Sequence, residues 1–161
     1  MLKIIGDGGH AAVVRDVWRL QSLSYRCAVA LRGNAAFVAI GNNQDRLREA
    51  AALLDSGHWF PVLIHPSAVV APDVMIGSGS IIMAGAVLQP GAIIGKHCIV
   101  NTSATVDHHC RIDDFAHCGP GSHCCGGVVV GAGATLGAGA VAVPNAIIEP
   151  CTLIRAGQVA K

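Results

Sequence analysis

The chain has 161 residues and a formal charge of +1, with 13% charged and 4% aromatic residues. A balance so near neutrality, with neither a basic run nor a supply of aromatic rings, excludes a phosphate-tracking groove, and no nucleic-acid partner is expected. The length suits a compact protein of one or two small domains.

Residues 2–5 read as a short apolar strand. The opening Met1-Leu2-Lys3-Ile4-Ile5 is too short for a secretory signal and runs straight into glycines, so a cytoplasmic location is expected. Gly6-Asp7-Gly8-Gly9-His10 follows as a tight loop, and residues 11–20 as an amphipathic helix with Val13, Val14, Val17 and Trp18 available for burial. Residues 25–31 and 36–40 supply two further strands, residues 44–54 a second helix, and residues 59–64 a strand leading onward. The first 60 residues therefore form a small Rossmann-like α/β unit. A glycine loop that opens a helix offers backbone N–H groups and the positive end of the helix dipole, which suits a phosphate or a sugar oxygen. The spacing Gly6-x-Gly8-x-x-Ala11 is only a weak dinucleotide fingerprint. With no acid after the second strand, where Arg32 is the nearest charge, a dinucleotide cofactor is not expected.

From residue 64 the plan changes. Sixteen aliphatic or thiol side chains recur every six residues: Ile64, Val70, Ile76, Ile82, Leu88, Ile94, Val100, Val106, Ile112, Cys118, Cys124, Val130, Leu136, Ala142, Ile148 and Ile154. Two positions before each stands a small residue, such as Ala68, Ser80, Ala92, Cys98, Ala104, Cys110 or Ala116. A period of six fits neither an amphipathic helix nor an isolated strand, but it is the hexapeptide repeat of a parallel β-helix, here residues 61–161. The repeat also disposes of an apparent membrane span, because residues 118–148 lack Asp, Glu, Lys and Arg but carry turn-phase glycines at Gly131, Gly133, Gly137 and Gly139. Cys98, Cys110, Cys118 and Cys124 occupy inward phases as small hydrophobes, so no disulfides are expected. Apolar outward residues such as Met83, Val87, Ile93 and Ile99 suit side-by-side packing of identical solenoids.

Chemistry concentrates on residues 101–127, where several side chains fall outside the inward phases. His108 follows Val106 by two and lies off the core, where an imidazole titrating near neutrality can take a proton from an attacking amine or hydroxyl. Asp107 is placed to orient it or stabilise its cation. A covalent route would pass through Cys110, Cys124 or Cys125, two of which packing already explains.

The segments GDGGHAAVVRDV, FVAIGNNQDR and NTSATVDHHCRIDDFAHCGPGSHCCGG, set in hexapeptide repeats, resemble the sugar O- and N-acyltransferases related to bacterial sialic acid O-acetyltransferase. The nearest branch is that of the nucleotide-amino-sugar N-acetyltransferases of bacillosamine and perosamine synthesis. The resemblance covers nearly the whole chain. It implies a left-handed β-helix, acetyl-CoA as donor, a sugar acceptor, no metal, and a homotrimer with active sites between neighbouring subunits. It puts the catalytic base at His108, beside Asp107. His117 would contact the acyl-CoA near its thioester, Gly126 would offer its N–H to the thioester carbonyl, and Ala138 would lie along the CoA chain. The acceptor side would comprise Gly8, Gly9, His10, Gly41, Asn101 and His109, although His10 equally reads as a helix cap.

Three departures stand out. The residue after the base is His109 where the family usually has an acid, which leaves Asp107 to activate His108. The connection Leu31-Arg32-Gly33-Asn34 lacks the aspartate pair that relatives use to grip the nucleotide base. Gly157-Gln158-Val159-Ala160-Lys161 reads as a remnant of a longer tail beside the CoA. Two other readings stay open. One is a degenerate transferase serving as a binding or scaffold protein; the other is a zinc-dependent enzyme like the trimeric β-helical carbonic anhydrases, drawing on His97, His108, His109, His117, Cys118, His123, Cys124 and Cys125.

Overall fold

The computed structural model describes residues 2–23 and 33–161. Strand β1 (Lys3–Ile5) pairs in parallel with β2 (Ala36–Val38), and helices α1 (Gly9–Leu23) and α2 (Asn43–Asp55) follow the two strands. The strand expected over residues 25–31 lies outside the described residues, as does Arg32. In α1, Ala11, Val14 and Val17 are buried and Trp18 packs against them, an i, i+3, i+6, i+7 spacing that puts them on one face of an amphipathic helix. Val13 falls off that face and is 43% exposed, contrary to expectation. Gln21 continues the face, is buried, and accepts a hydrogen bond from the Ile64 N–H at 3.1 Å through Oε1, tying α1 to the first repeat strand. Asn42 caps α2, its side-chain oxygen accepting from the N–H groups of Gln44 and Asp45 at 3.0 Å each. Of the strand expected over residues 59–64, only Leu63–Ile64 forms; Trp59 makes an isolated bridge to Ala35.

Seventeen two-residue strands then run from Leu63–Ile64 to Val159–Ala160. They sort into three parallel sheets of six, six and five strands, which open with Leu63–Ile64, Val69–Val70 and Met75–Ile76 respectively. Each strand pairs with the one three hexads further on, as Ile64 with Ile82 and Ile82 with Val100, so one coil is three repeats. The second residue of each strand points inward, and the small residues at the other inward phase stack between them: Leu88, Ala92, Ile94, Cys98, Val100 and Ala104 are all buried. The coils form a left-handed β-helix. Every sixth residue from Gly79 to Gly157 adopts a left-handed φ, through which the chain turns each corner. Glycine takes most of these positions at no steric cost and Asn145, His97 and His109 tolerate them, but Ser103, Phe115 and Cys151 are held there against their preference.

The α/β unit covers the first sheet. Leu63, Ile81, Met83 and Ile99 form one buried cluster with Leu2, Ala11, Val14, Val17 and Phe37. The expectation that Met83 and Ile99 face a neighbouring solenoid is therefore corrected: their own chain buries them, because α1 and β1 need an apolar sheet to pack on. Ile93, on the third sheet, is 40% exposed. No helix among the described residues is long and apolar enough to cross a membrane.

Candidate active site

The sequence-predicted residues fall at three places on the coil: one corner, the first sheet beneath the α/β unit, and, for Ala138, a second corner. The first group occupies the corner between the second and third sheets. One Asp107 oxygen accepts from the backbone N–H of His108 at 2.7 Å, and His109 turns the corner with φ of 57°. The rings of His108 and His109 stand nearly perpendicular, at 79°, with their Nδ1 atoms 3.1 Å apart. Two neutral imidazoles at that distance share one proton. With the proton on His108 Nδ1, the hydrogen bond runs to His109, and the Nε2 of His108 presents a free lone pair to solvent. Asp107, expected to orient the His108 ring or stabilise its cation, bonds the His108 backbone, and the ring's hydrogen-bond partner is His109.

One coil below lies Gly126. A Cβ added there would meet His108 Cε1 at 2.5 Å and Nε2 at 2.6 Å, so this glycine is needed for close approach of the ring rather than for its φ. The Gly126 N–H has no backbone partner among the described residues, whereas its carbonyl accepts from Asn145 N–H at 3.0 Å. His108, His109, Gly126 and Asn145 line an open pocket of about 490 Å³. With the His108 proton on Nδ1, an imidazole lone pair and an amide donor sit together on an exposed edge.

The second group lies where the α/β unit meets the first sheet. Asn101 Nδ2 donates to His117 Nε2 at 3.0 Å, and His117 also hydrogen-bonds the Gly41 backbone. His10 stands in the first turn of α1 with its Nε2 buried and unpartnered among the described residues. Gly8, Gly9, His10, Ile40 and Gly41 line a pocket of about 430 Å³. Ala138 is exposed at the corner between the first and second sheets, and its carbonyl accepts from Gly157 N–H at 2.9 Å. One chain therefore does not unite His108 with His117 or Ala138.

The sequence reading missed Arg46. Only 1% exposed, it meets no carboxylate among the described residues: Nε donates to His97 O at 2.8 Å, one terminal nitrogen to Ile40 O and Gly41 O, and the other to Asn43 Oδ1 and Phe115 O. Burial pushes it down to about 10. The signal was present, since Arg46, Ala50 and Leu53 make the buried i, i+4, i+7 face of α2, but an arginine on a helix is ordinarily read as solvated.

Three histidines feel this environment. Burial first, and then the charge of Arg46, lowers His10, His97 and His117 each to about 4. The His97 ring is stacked on Phe115 at 5.0 Å and meets Phe60 edge-on at 4.5 Å. The unfolded chain takes these protons near pH 6.5 and the folded chain refuses them until about 4. Their contribution to stability is thus complete above pH 6.5 and is lost as pH falls toward 4. Calorimetry should find the melting temperature roughly 5–10 °C lower at pH 5 than at pH 7; an unchanged melting temperature would contradict the burial of these rings.

Of the three thiols a covalent route would use, Cys125 alone is not buried. Burial pushes the Cys110 thiol up to about 11, which disfavours the thiolate a covalent route needs, and Cys124 is buried as well. Among the described residues no group of three His, Cys, Asp or Glu side chains is placed to hold a metal ion.

A left-handed β-helix of hexapeptide repeats is the fold of the hexapeptide-repeat acyltransferases. Solved structures agree. The chain is similar to PerB from Caulobacter crescentus, solved with CoA and GDP-perosamine, at 36% identity and a TM-score of 0.91, covering 99% of this chain and 88% of that one. It is similar to the acetyltransferase domain of PglB from Neisseria gonorrhoeae, solved with acetyl coenzyme A, at 33% identity and a TM-score of 0.88, covering 97% and 88%. WeeI from Acinetobacter baumannii shares the fold at 21% identity, with a TM-score of 0.77 and coverage of 99% and 93%. No protein-family profile matches the chain, and no curated protein does. The chain belongs to the sugar acetyltransferase family that PerB and PglB represent, and it is an acyl-CoA-dependent acetyltransferase.

Proposed function

We propose that this protein moves an acetyl group from acetyl-CoA to the amino group of a nucleotide-linked 4-amino-sugar, in the cytoplasm, with His108 as general base. The observation that carries the reading is the exposed His108 ring, its Nδ1 paired with His109 at 3.1 Å, packed against Gly126, whose N–H has no backbone partner among the described residues. The acceptor nitrogen attacks the thioester carbonyl, and His108 Nε2 takes the proton that this nitrogen sheds. The carbonyl oxygen becomes an oxyanion, which the Gly126 N–H stabilises. As the tetrahedral intermediate collapses, the carbon–sulfur bond breaks and the CoA sulfur receives the proton from His108. His109 holds the His108 ring in the required tautomer throughout, in addition to any contact with the acceptor. Asp107 fixes the turn through the backbone.

The α/β unit, residues 1–60, serves as the acceptor-binding subdomain, with Gly8, Gly9, His10, Gly41 and Asn101 facing the nucleotide sugar. Residues 61–161 bind the donor through His117, Gly126 and Ala138. Because one chain holds His108 apart from His117 and Ala138, the working unit is a homotrimer in which each site draws on two neighbours. The exposed apolar residues Met75, Ile93 and Ile147 on the third sheet give such neighbours a surface to share.

The test is CoA release from acetyl-CoA with UDP- and dTDP-linked 4-amino-sugars, GDP-perosamine and free sialic acid as acceptors, read together with the product mass. Turnover that adds one acetyl group to an amino-sugar nucleotide is the expected result. Release of CoA with none of the panel would overturn the reading in favour of a binding protein.

A further inference from the structure

Residues His97, Phe115 and Gly133 occupy one corner of three consecutive coils, and each offers its carbonyl to the same face of α2. Arg46 Nε binds His97 O at 2.8 Å, an Arg46 terminal nitrogen binds Phe115 O at 2.7 Å, and Asn43 Nδ2 binds Gly133 O at 2.8 Å. The three rungs are joined, because the same Arg46 nitrogen also donates to Asn43 Oδ1 at 2.7 Å. Asn43 Nδ2 reaches Thr135 Oγ1 at 2.8 Å as well. The other arm of the guanidinium holds Ile40 O at 3.0 Å and Gly41 O at 3.1 Å. A side chain with five donors fixed in a fork suits this task in a way a lysine does not.

We propose that Arg46, with Asn43, is the positioning residue of the acceptor side: it sets the register of α2 along the solenoid and so fixes the Gly41 loop against His117 and Asn101. The inference deepens the acetyltransferase reading by assigning a residue to the acceptor's placement, and it rests on that reading for its kinetic consequences.

The geometry shows why placement and not merely attachment is at stake. A β-helix presents nearly identical corners every coil, so apolar packing alone specifies the depth of the α/β unit poorly along the axis. A hydrogen-bonded ladder to three named carbonyls specifies it in steps of one coil. The Gly41 loop is held from one side by Arg46 and from the other by His117, so any slip of α2 moves the acceptor wall relative to the donor residues. The buried charge has a second effect, since Arg46 opposes protonation of both His10 and His117.

Arg46→Met tests this together with the milder Asn43→Ala, which keeps the guanidinium should Arg46→Met fail to fold. The expected result is a KM for the acceptor raised roughly tenfold or more in Arg46→Met, with the KM for acetyl-CoA altered less, and a smaller rise of the same kind in Asn43→Ala. Histidine NMR titration gives a readout independent of turnover: His10 and His117 should titrate at higher pH in Arg46→Met than in the parent chain, and as in the parent in Asn43→Ala. Folded variants with parental KM values would overturn the positioning role. Absence of activity in the parent chain would instead defeat the acetyltransferase reading, and the titration shift would then decide whether Arg46 sets the environment of the two histidines.

Discussion

Replacing His108 with alanine is expected to lower kcat by about 10²–10⁴-fold, the usual contribution of a positioned general base. The KM for acetyl-CoA should change little, because the Gly126 amide and the solenoid edge survive the substitution. Stability should hardly change: His108 is exposed, and apart from its ring pairing with His109 it anchors the corner through its backbone, whose carbonyl accepts from Gly127 N–H at 3.0 Å. A folded His108→Ala protein retaining parental kcat would remove the base from the account. His109→Asn makes a useful companion, since its amide oxygen can still accept from His108 Nδ1. It should retain far more activity than His109→Phe, which offers that nitrogen nothing.

The second large effect is expected from Gly126→Ala. The new methyl would stand 2.5 Å from His108 Cε1 and 2.6 Å from Nε2, so the ring must swing away from Gly126. Gly126 does not adopt a left-handed φ, so the backbone itself accepts alanine. The change therefore separates base from oxyanion donor in a protein that still folds, and kcat should fall by roughly 10²-fold or more while the melting temperature stays nearly constant. Gly127→Ala supplies the contrast. At φ of +73° and against the Asn145 side chain, it should act first on stability.

The repeat was legible in the sequence because a β-helix turns a one-dimensional rule into a structure: the hexad fixes which residue points inward, and the small residues two places earlier fix the rest. The same register carries the corner positions, where glycine alternates with His97, His109 and Phe115, but a histidine in a strained turn looks no different in sequence from one on a strand. Met83 and Ile99 were assigned to a neighbouring solenoid because nothing local tells which of three sheets the α/β unit will cover. That choice depends on how α1 and β1 meet the coils. Val13 was misplaced by one helical step, and Arg46 was passed over because its charge masked a buried periodicity. At the site, the place of His108 off the core could be read from its phase in the repeat, whereas Gly126 was picked out by the family resemblance alone. The pairing of His108 with His109 could not, since it depends on ring orientation, and neither could the contact of His117, on the first sheet, with Asn101 and the Gly41 loop rather than with His108.

The most direct measurement is a crystal structure of the protein with CoA and a nucleotide-linked 4-amino-sugar. The account predicts the acceptor nitrogen within roughly 3 Å of His108 Nε2, the pantetheine sulfur beside the Gly126 amide, and the nucleotide against Gly8, Gly9, His10 and Gly41, with two chains contributing to each site. A complex in which both ligands bind without approaching His108, or in which one chain completes the site by itself, would contradict it.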